Sequence, residues 1–142
     1  MKLLIACILS LCFAYAACAA DTAKPAMADI IAMVKASEKY GIDVQALVKI
    51  GYVESRYNQA AIRVNKNGTI DVGMFQVNSV HWSKECKGLD VTTLQGNADC
   101  AAKIIAGHAI HAAADKDWLG RYHSKTPSKK RGYARQLAKV GK

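Results

Sequence analysis

The chain has 142 residues, enough for one domain around one core. Lysine and arginine number 20 against 11 aspartates and glutamates, a formal charge of +9 that points to an anionic partner such as cell-wall polymer or a phospholipid surface. Nucleic acid is not an expected partner, because no aromatics interleave with the basic residues as they do on a base-stacking platform.

The chain opens on a leader. Lys2 precedes an apolar run from Leu3 to Ala14, and small residues follow, Ala16-Ala17-Cys18-Ala19-Ala20. That order is the layout of a secretory signal peptide, and the apolar run is short for a membrane span. Cleavage after Ala20, with Ala16 or Ala19 as alternatives, leaves a signal peptide at 1–20 and one domain at 21–142. A rival reading is lipidation at Cys18, but Tyr15-Ala16-Ala17-Cys18 lacks the usual Leu at the first position of such a site. Cys7, Cys12 and Cys18 fall in the leader. Cys86 and Cys100 remain as an even pair and are expected to form a disulfide in an exported protein.

A first helix is predicted over about Pro25 to Tyr40, with Met27, Ile30, Ile31 and Val34 facing inward and Gly41 as its C-cap. Asp43 caps a second helix running to Ser55. Apolar residues nearly all round it mark a central helix wrapped by the others. Its stripe of Val44, Leu47, Val48 and Gly51 continues onto Glu54 and Ser55, which aims the Glu54 carboxyl inward. Burial disfavours the charged form, so the carboxyl is expected to keep its proton to higher pH and to serve as a proton donor. The alternative is a helix-end glutamate turned to water.

Asn67-Gly68 predicts a tight turn in a small β-hairpin, with Arg63 to Asn65 on one side and Thr69 to Val72 on the other. A helix is expected near Val80 to Lys84. A longer one follows from Ala98 to about Ala114, capped by Asn97, with Ile104, Ile105, His108 and Ala112 inward. A short helix near Trp118 to Tyr122 precedes a last one opened by Pro127, where Tyr133, Leu137 and Val140 share a face. The fold class is therefore mainly α, a single α+β domain with one small β-hairpin.

Four pieces carry the chemistry: Glu54-Ser55, Asn58 to Ala61, Asp71-Val72-Gly73-Met74-Phe75-Gln76-Val77-Asn78-Ser79, and Tyr122-His123-Ser124. Together they resemble the lysozyme-like superfamily, most closely the small lytic transglycosylases (SLT domains) that accompany secretion and conjugation machineries. The resemblance implies that Glu54 is the catalytic acid and that Ser55 helps hold the carboxyl and substrate. It implies that Gly73 to Asn78 lines a sugar cleft, with Gln76 and Asn78 bonding the glycan, Met74 offering an apolar contact and Gly73 letting the ligand approach the backbone. Tyr122 matches a tyrosine that approaches the catalytic carboxyl. The implied activity is cleavage of the MurNAc-β-1,4-GlcNAc bond of peptidoglycan to 1,6-anhydro-muramyl ends, without a cofactor. The implied setting is the periplasm, with glycan strands and secretion or conjugation components as partners and a monomer as the default state.

Asp71 leaves an alternative open. The strip also resembles that of animal-type lysozymes, where an Asp at this place assists as second carboxylate, so a muramidase using Glu54 and Asp71 is a rival reading. Asp71 reads equally as a hairpin-end residue bonding its own turn. A catalytically inactive glycan-binding assembly subunit is the rival from another class. His108 and His111 stand three apart on one predicted helix, but no Asp or Glu completes a ligand set there, so no metal is expected. The stretch from Arg121 to Lys142 is basic throughout, suited either to a solvated face or to attraction towards an anionic envelope.

Overall fold

The computed structural model describes residues 23–142, so the signal peptide expected at 1–20 lies outside the described residues. Helix α1 spans Met27–Tyr40 and α2 spans Val44–Ser55. Strands β1 (Ile62–Val64), β2 (Ile70–Val72) and β3 (Val77–Asn78) follow, then a 3-10 turn at Ser79–His81. Helix α3 covers Leu94–Ala109, a 3-10 helix covers Trp118–Tyr122, and α4 covers Pro127–Leu137. Among the described residues, four α-helices pack around one core, with a three-stranded antiparallel sheet at one edge, ordered β1-β2-β3.

Local chemistry sets these boundaries. Gly41 takes the left-handed conformation (φ 65°) that ends α1. Asp43 accepts a hydrogen bond from the Gln45 amide (2.9 Å) and so starts α2. Helix α2 stops where Arg56 and Tyr57 both adopt positive φ. The hairpin forms around Asn67-Gly68 as predicted, pairing Ile62 with Val72 and Val64 with Ile70. The sheet exceeds the expected hairpin by β3, which pairs Asp71 with Asn78 and Val72 with Val77. Cys86 and Cys100 are joined in a disulfide with Cα atoms 5.0 Å apart.

Helix α2 contacts all three other helices, as its near-continuous apolar surface requires. Its Leu47 and Ile50 are fully buried. Helices α1 and α3 share the most extensive helix contact. They meet through small buried residues, Ala32 and Ala36 on one and Ala98, Ala101 and Ala102 on the other, which permit close approach.

This packing corrects the expected phase of α1. Met27, Ile30, Ile31 and Val34 point outward, with Met27 70% exposed and Ile31 48%, while Asp29, Ala32, Met33 and Ala36 are buried. Buried Asp29 fixes the rotation, accepting from the Ala26 amide (2.8 Å) and from Gln59 Nε2 (2.5 Å). The expected helix near Val80 to Lys84 is only the 3-10 turn, capped by Asn78. Helix α3 starts earlier and ends earlier than predicted. Thr93, not Asn97, is its N-cap, accepting from the Gly96 amide (3.1 Å). Ala112 accordingly lies beyond the helix and is exposed, and His108 is half-buried. The basic C-terminal stretch is partly offset, because Asp115 pairs with both Lys130 and Arg121.

Candidate active site

A cleft of about 530 Å³ opens between the sheet and the segment that follows the 3-10 helix. Glu54, Arg63, Asp71, Gln76, Asn78, Tyr122 and His123 are among the residues that line it. The last turn of α2 carries Glu54 to its floor. There, among the described residues, the Glu54 carboxyl receives one hydrogen bond, from the Tyr133 hydroxyl to Oε1 at 2.5 Å. Burial is the largest influence on its pKa and raises it; nearby Asp71 adds to the rise, while the Tyr133 bond and the Arg63 charge oppose it. The net direction is upward, so the carboxyl keeps its proton to higher pH than an ordinary glutamate.

Tyr133 stands on the buried face of α4, beside Leu137. Burial, then the adjacent Glu54, raises its own pKa, so the phenol stays a donor across the working range. The His123 ring stacks on it, centroids 5.0 Å apart and planes within 6°. Burial, with Lys129 and Arg63 nearby, lowers the His123 pKa. The sequence named Tyr133 only as a core-facing residue. A tyrosine on the inner face of a strongly basic helix needs a partner for its hydroxyl, and that requirement is the signal that could have found it.

Tyr122 lines the cleft but does not bond Glu54. Its hydroxyl donates to the Phe75 carbonyl (2.8 Å), tying the 3-10 helix to the strip. Burial raises its pKa well above the usual phenol value. The tyrosine that bonds the Glu54 carboxyl is Tyr133, eleven residues further on, while Tyr122 lies close enough for the Glu54 charge to add to the rise in its pKa.

Asp71 is a hub. Its Oδ2 accepts from Arg63 Nε (3.2 Å), Arg63 Nη2 (3.1 Å) and Asn65 Nδ2 (2.9 Å), and its Oδ1 accepts from Asn78 Nδ2 (2.6 Å). All four contacts are donors, so the carboxylate joins the three strands of the sheet. Asn78 is committed in turn: it also donates to Thr69 (3.0 Å) and accepts from the Val80 amide. Gln76 spends Nε2 on the Ala61 and Gly73 carbonyls (3.1 and 3.0 Å), which leaves its side-chain oxygen as an acceptor on the cleft. Gln76 sits at φ 46°, an uncommon conformation for a non-glycine residue, held by those two bonds.

Three other residues expected at the cleft lie behind it. Met74 is 1% exposed and belongs to the core, its sulfur against Gly51 of α2. Gly73 is buried at φ +74°, and a Cβ there would sit 2.6 Å from the Asn97 side chain; it makes room for Asn97 and not for a ligand. Ser55 donates to the Met74 carbonyl (2.7 Å) and accepts from the Asn58 amide (3.0 Å), locking the end of α2 to the strip. Asn97 is the scaffold residue that the sequence misassigned as a cap. Its amide donates to the Val72 and Val91 carbonyls (3.0 Å each) and its oxygen accepts from the Phe75 amide (3.0 Å). Among the described residues, no cluster of His, Cys, Asp or Glu is arranged to hold a metal ion.

A helical domain with a three-stranded sheet along one wall of a cleft, and a sheltered carboxyl at the end of its central helix, is a lysozyme-like domain. The chain belongs to the transglycosylase SLT domain family, whose model matches residues 31–117, more than half of the sequence. The match holds Glu54 and the whole 71–79 strip and stops short of Tyr122 and Tyr133. Relatives agree. Protein IpgF of Shigella flexneri is 30% identical over 103 residues, covering 68% of this chain and 67% of its own. Invasion protein IagB of Salmonella typhimurium is 28% identical over 111 residues, covering 74% and 69%. Human lysozyme-like protein 6 is 30% identical over 70 residues, covering 41% of this chain and 47% of its own.

Proposed function

We propose that this protein is a peptidoglycan lytic transglycosylase with Glu54 as its single acid–base group. The observation that carries this reading is the contrast between the two cleft carboxyls: among the described residues Glu54 has one hydrogen bond and a raised pKa, whereas Asp71 accepts four from Arg63, Asn65 and Asn78. Cleavage needs a proton on the bridging oxygen and relief for the positive charge that develops at C1. Tyr133 occupies Oε1, so Oε2 is the oxygen free to deliver that proton. The acetamido oxygen of the muramyl sugar attacks C1 as the bond to the leaving sugar breaks. Ionised Glu54 then takes the proton from the C6 hydroxyl, whose oxygen closes onto C1 and releases the acetamido group. Glu54 ends as it began, and no water enters the product. The open oxygen of Gln76 offers an acceptor to the glycan.

The rival muramidase needs Asp71 as a free second carboxylate, and its four donors weigh against that. An inactive glycan-binding subunit has no use for a sheltered acid. Export to the periplasm with removal of residues 1–20, and local opening of the wall for a secretion or conjugation apparatus, complete the proposal. The leader-like sequence supports the first; the resemblance, and a relative named an invasion protein, support the second. Mass spectrometry of sugar termini released from purified sacculi tests the chemistry. Anhydro ends are expected from wild type; reducing ends would establish the muramidase, and no release from intact sacculi the inactive subunit.

A further inference from the structure

The cleft continues past Glu54. A second hollow of about 420 Å³ is bounded by Val53, Gly132, Tyr133 and Gln136, and Glu54, Arg63, His123 and Lys129 line both hollows. Besides histidines, the charged residues along the groove are the cations Arg63, Lys66 and Lys129 and the carboxyls Glu54 and Asp71. Asp71 already pairs with Arg63 (3.1 Å), and Glu54 works in its protonated form. The groove therefore meets its substrate with excess positive charge. Lys129 is exposed and has no hydrogen-bond or ion-pair partner among the described residues. Its neighbour Lys130 is tied to Asp115 at 2.5 Å, so adjacent lysines on α4 have different tasks.

Sugar hydroxyls and acetamides are neutral and gain little from an unpaired ammonium. A carboxylate gains a charge-assisted contact that also selects against uncharged competitors. We propose that Lys129, with Arg63 beside it, forms a subsite next to the scissile bond for a carboxylate carried on the muramyl sugar, so that the enzyme prefers acid-bearing glycan over neutral glycan. This rests on the transglycosylase reading and adds a specificity to it. The carboxylate belongs to the peptide stem, because the lactyl carboxyl is held in the amide bond to that stem and is freed only when the stem is removed.

The test compares kcat/KM on native sacculi with kcat/KM on sacculi whose carboxyls have been converted to amides by carbodiimide and ammonia. In Lys129→Gln the native-to-amidated ratio is expected to fall about fivefold, mainly through KM. Arg135→Gln removes the same charge from an exposed position outside the groove and is expected to keep the wild-type ratio. An unchanged ratio in Lys129→Gln, or an equal fall in Arg135→Gln, overturns the subsite. Amidase-stripped glycan keeps only the lactyl carboxylate: loss of the Lys129-dependent advantage over amidated sacculi is expected, and its full retention overturns the assignment to the peptide. If wild type turns over none of these substrates, the transglycosylase reading fails, and the same ratios measured by co-sedimentation still decide the subsite.

Discussion

Glu54 and Asp71 line one cleft, yet their surroundings differ in kind. Asp71 is buried in a wall where polar groups are spent on one another: Arg63, Asn65 and Asn78 all donate to it. Glu54 stands on the floor with one phenol for company. Shelter from water is common to both; the supply of donors is not. A carboxyl filled by donors serves the scaffold, whereas shelter with few donors favours the protonated form of Glu54 and suits a proton donor.

The largest break in that comparison is Glu54→Gln, which keeps the shape and removes the proton. Turnover of sacculi is expected to fall by about 10²- to 10⁴-fold. The same substitution should stabilise the protein. Because folding raises the Glu54 pKa, ionisation costs more in the folded chain than in the unfolded one. That disadvantage is absent below the ordinary glutamate range and grows as pH rises through it to the folded value. The variant's melting temperature should therefore match wild type in acid and exceed it near neutrality. Gly73→Ala acts on the scaffold side, where positive φ and the 2.6 Å approach to Asn97 both penalise a Cβ. A loss of about 2–4 kcal/mol in urea unfolding is expected.

Asp71→Asn sharpens the contrast. It leaves at least one amide hydrogen facing donors, so a stability loss of about 1–3 kcal/mol is expected with activity reduced less than tenfold. A collapse of turnover to the level of Glu54→Gln would instead make Asp71 a second catalytic carboxylate. Tyr133→Phe is the mildest change. It removes a bond that lowers the Glu54 pKa, so the alkaline limb of the pH–rate profile should move to higher pH, with a rate change of a few fold at most.

The sequence made much of this readable. The α2 periodicity placed Glu54, Asn67-Gly68 placed the hairpin, and Pro127 opened α4 as expected. Patterns within one element could not show which of two faces meets the core. Helix α1 therefore turned the other way, its small-residue face packing on α3 while four large apolar residues stayed outside. Nor could they show contacts between distant parts of the chain. The Tyr133–Glu54 bond spans 79 residues and the Asn97–Val72 bond 25, and each rests on packing between separate elements. The same limit explains why Ser55, Gly73 and Met74 read as ligand contacts although they face the protein's own interior.

One proton decides the proposed chemistry, and ¹³C NMR titration of the Glu54 side-chain carboxyl follows it directly. The predicted result is a midpoint above that of an ordinary glutamate, moving higher in Tyr133→Phe and lower in Asp71→Asn. A midpoint at the ordinary glutamate value, unmoved by either substitution, would contradict it.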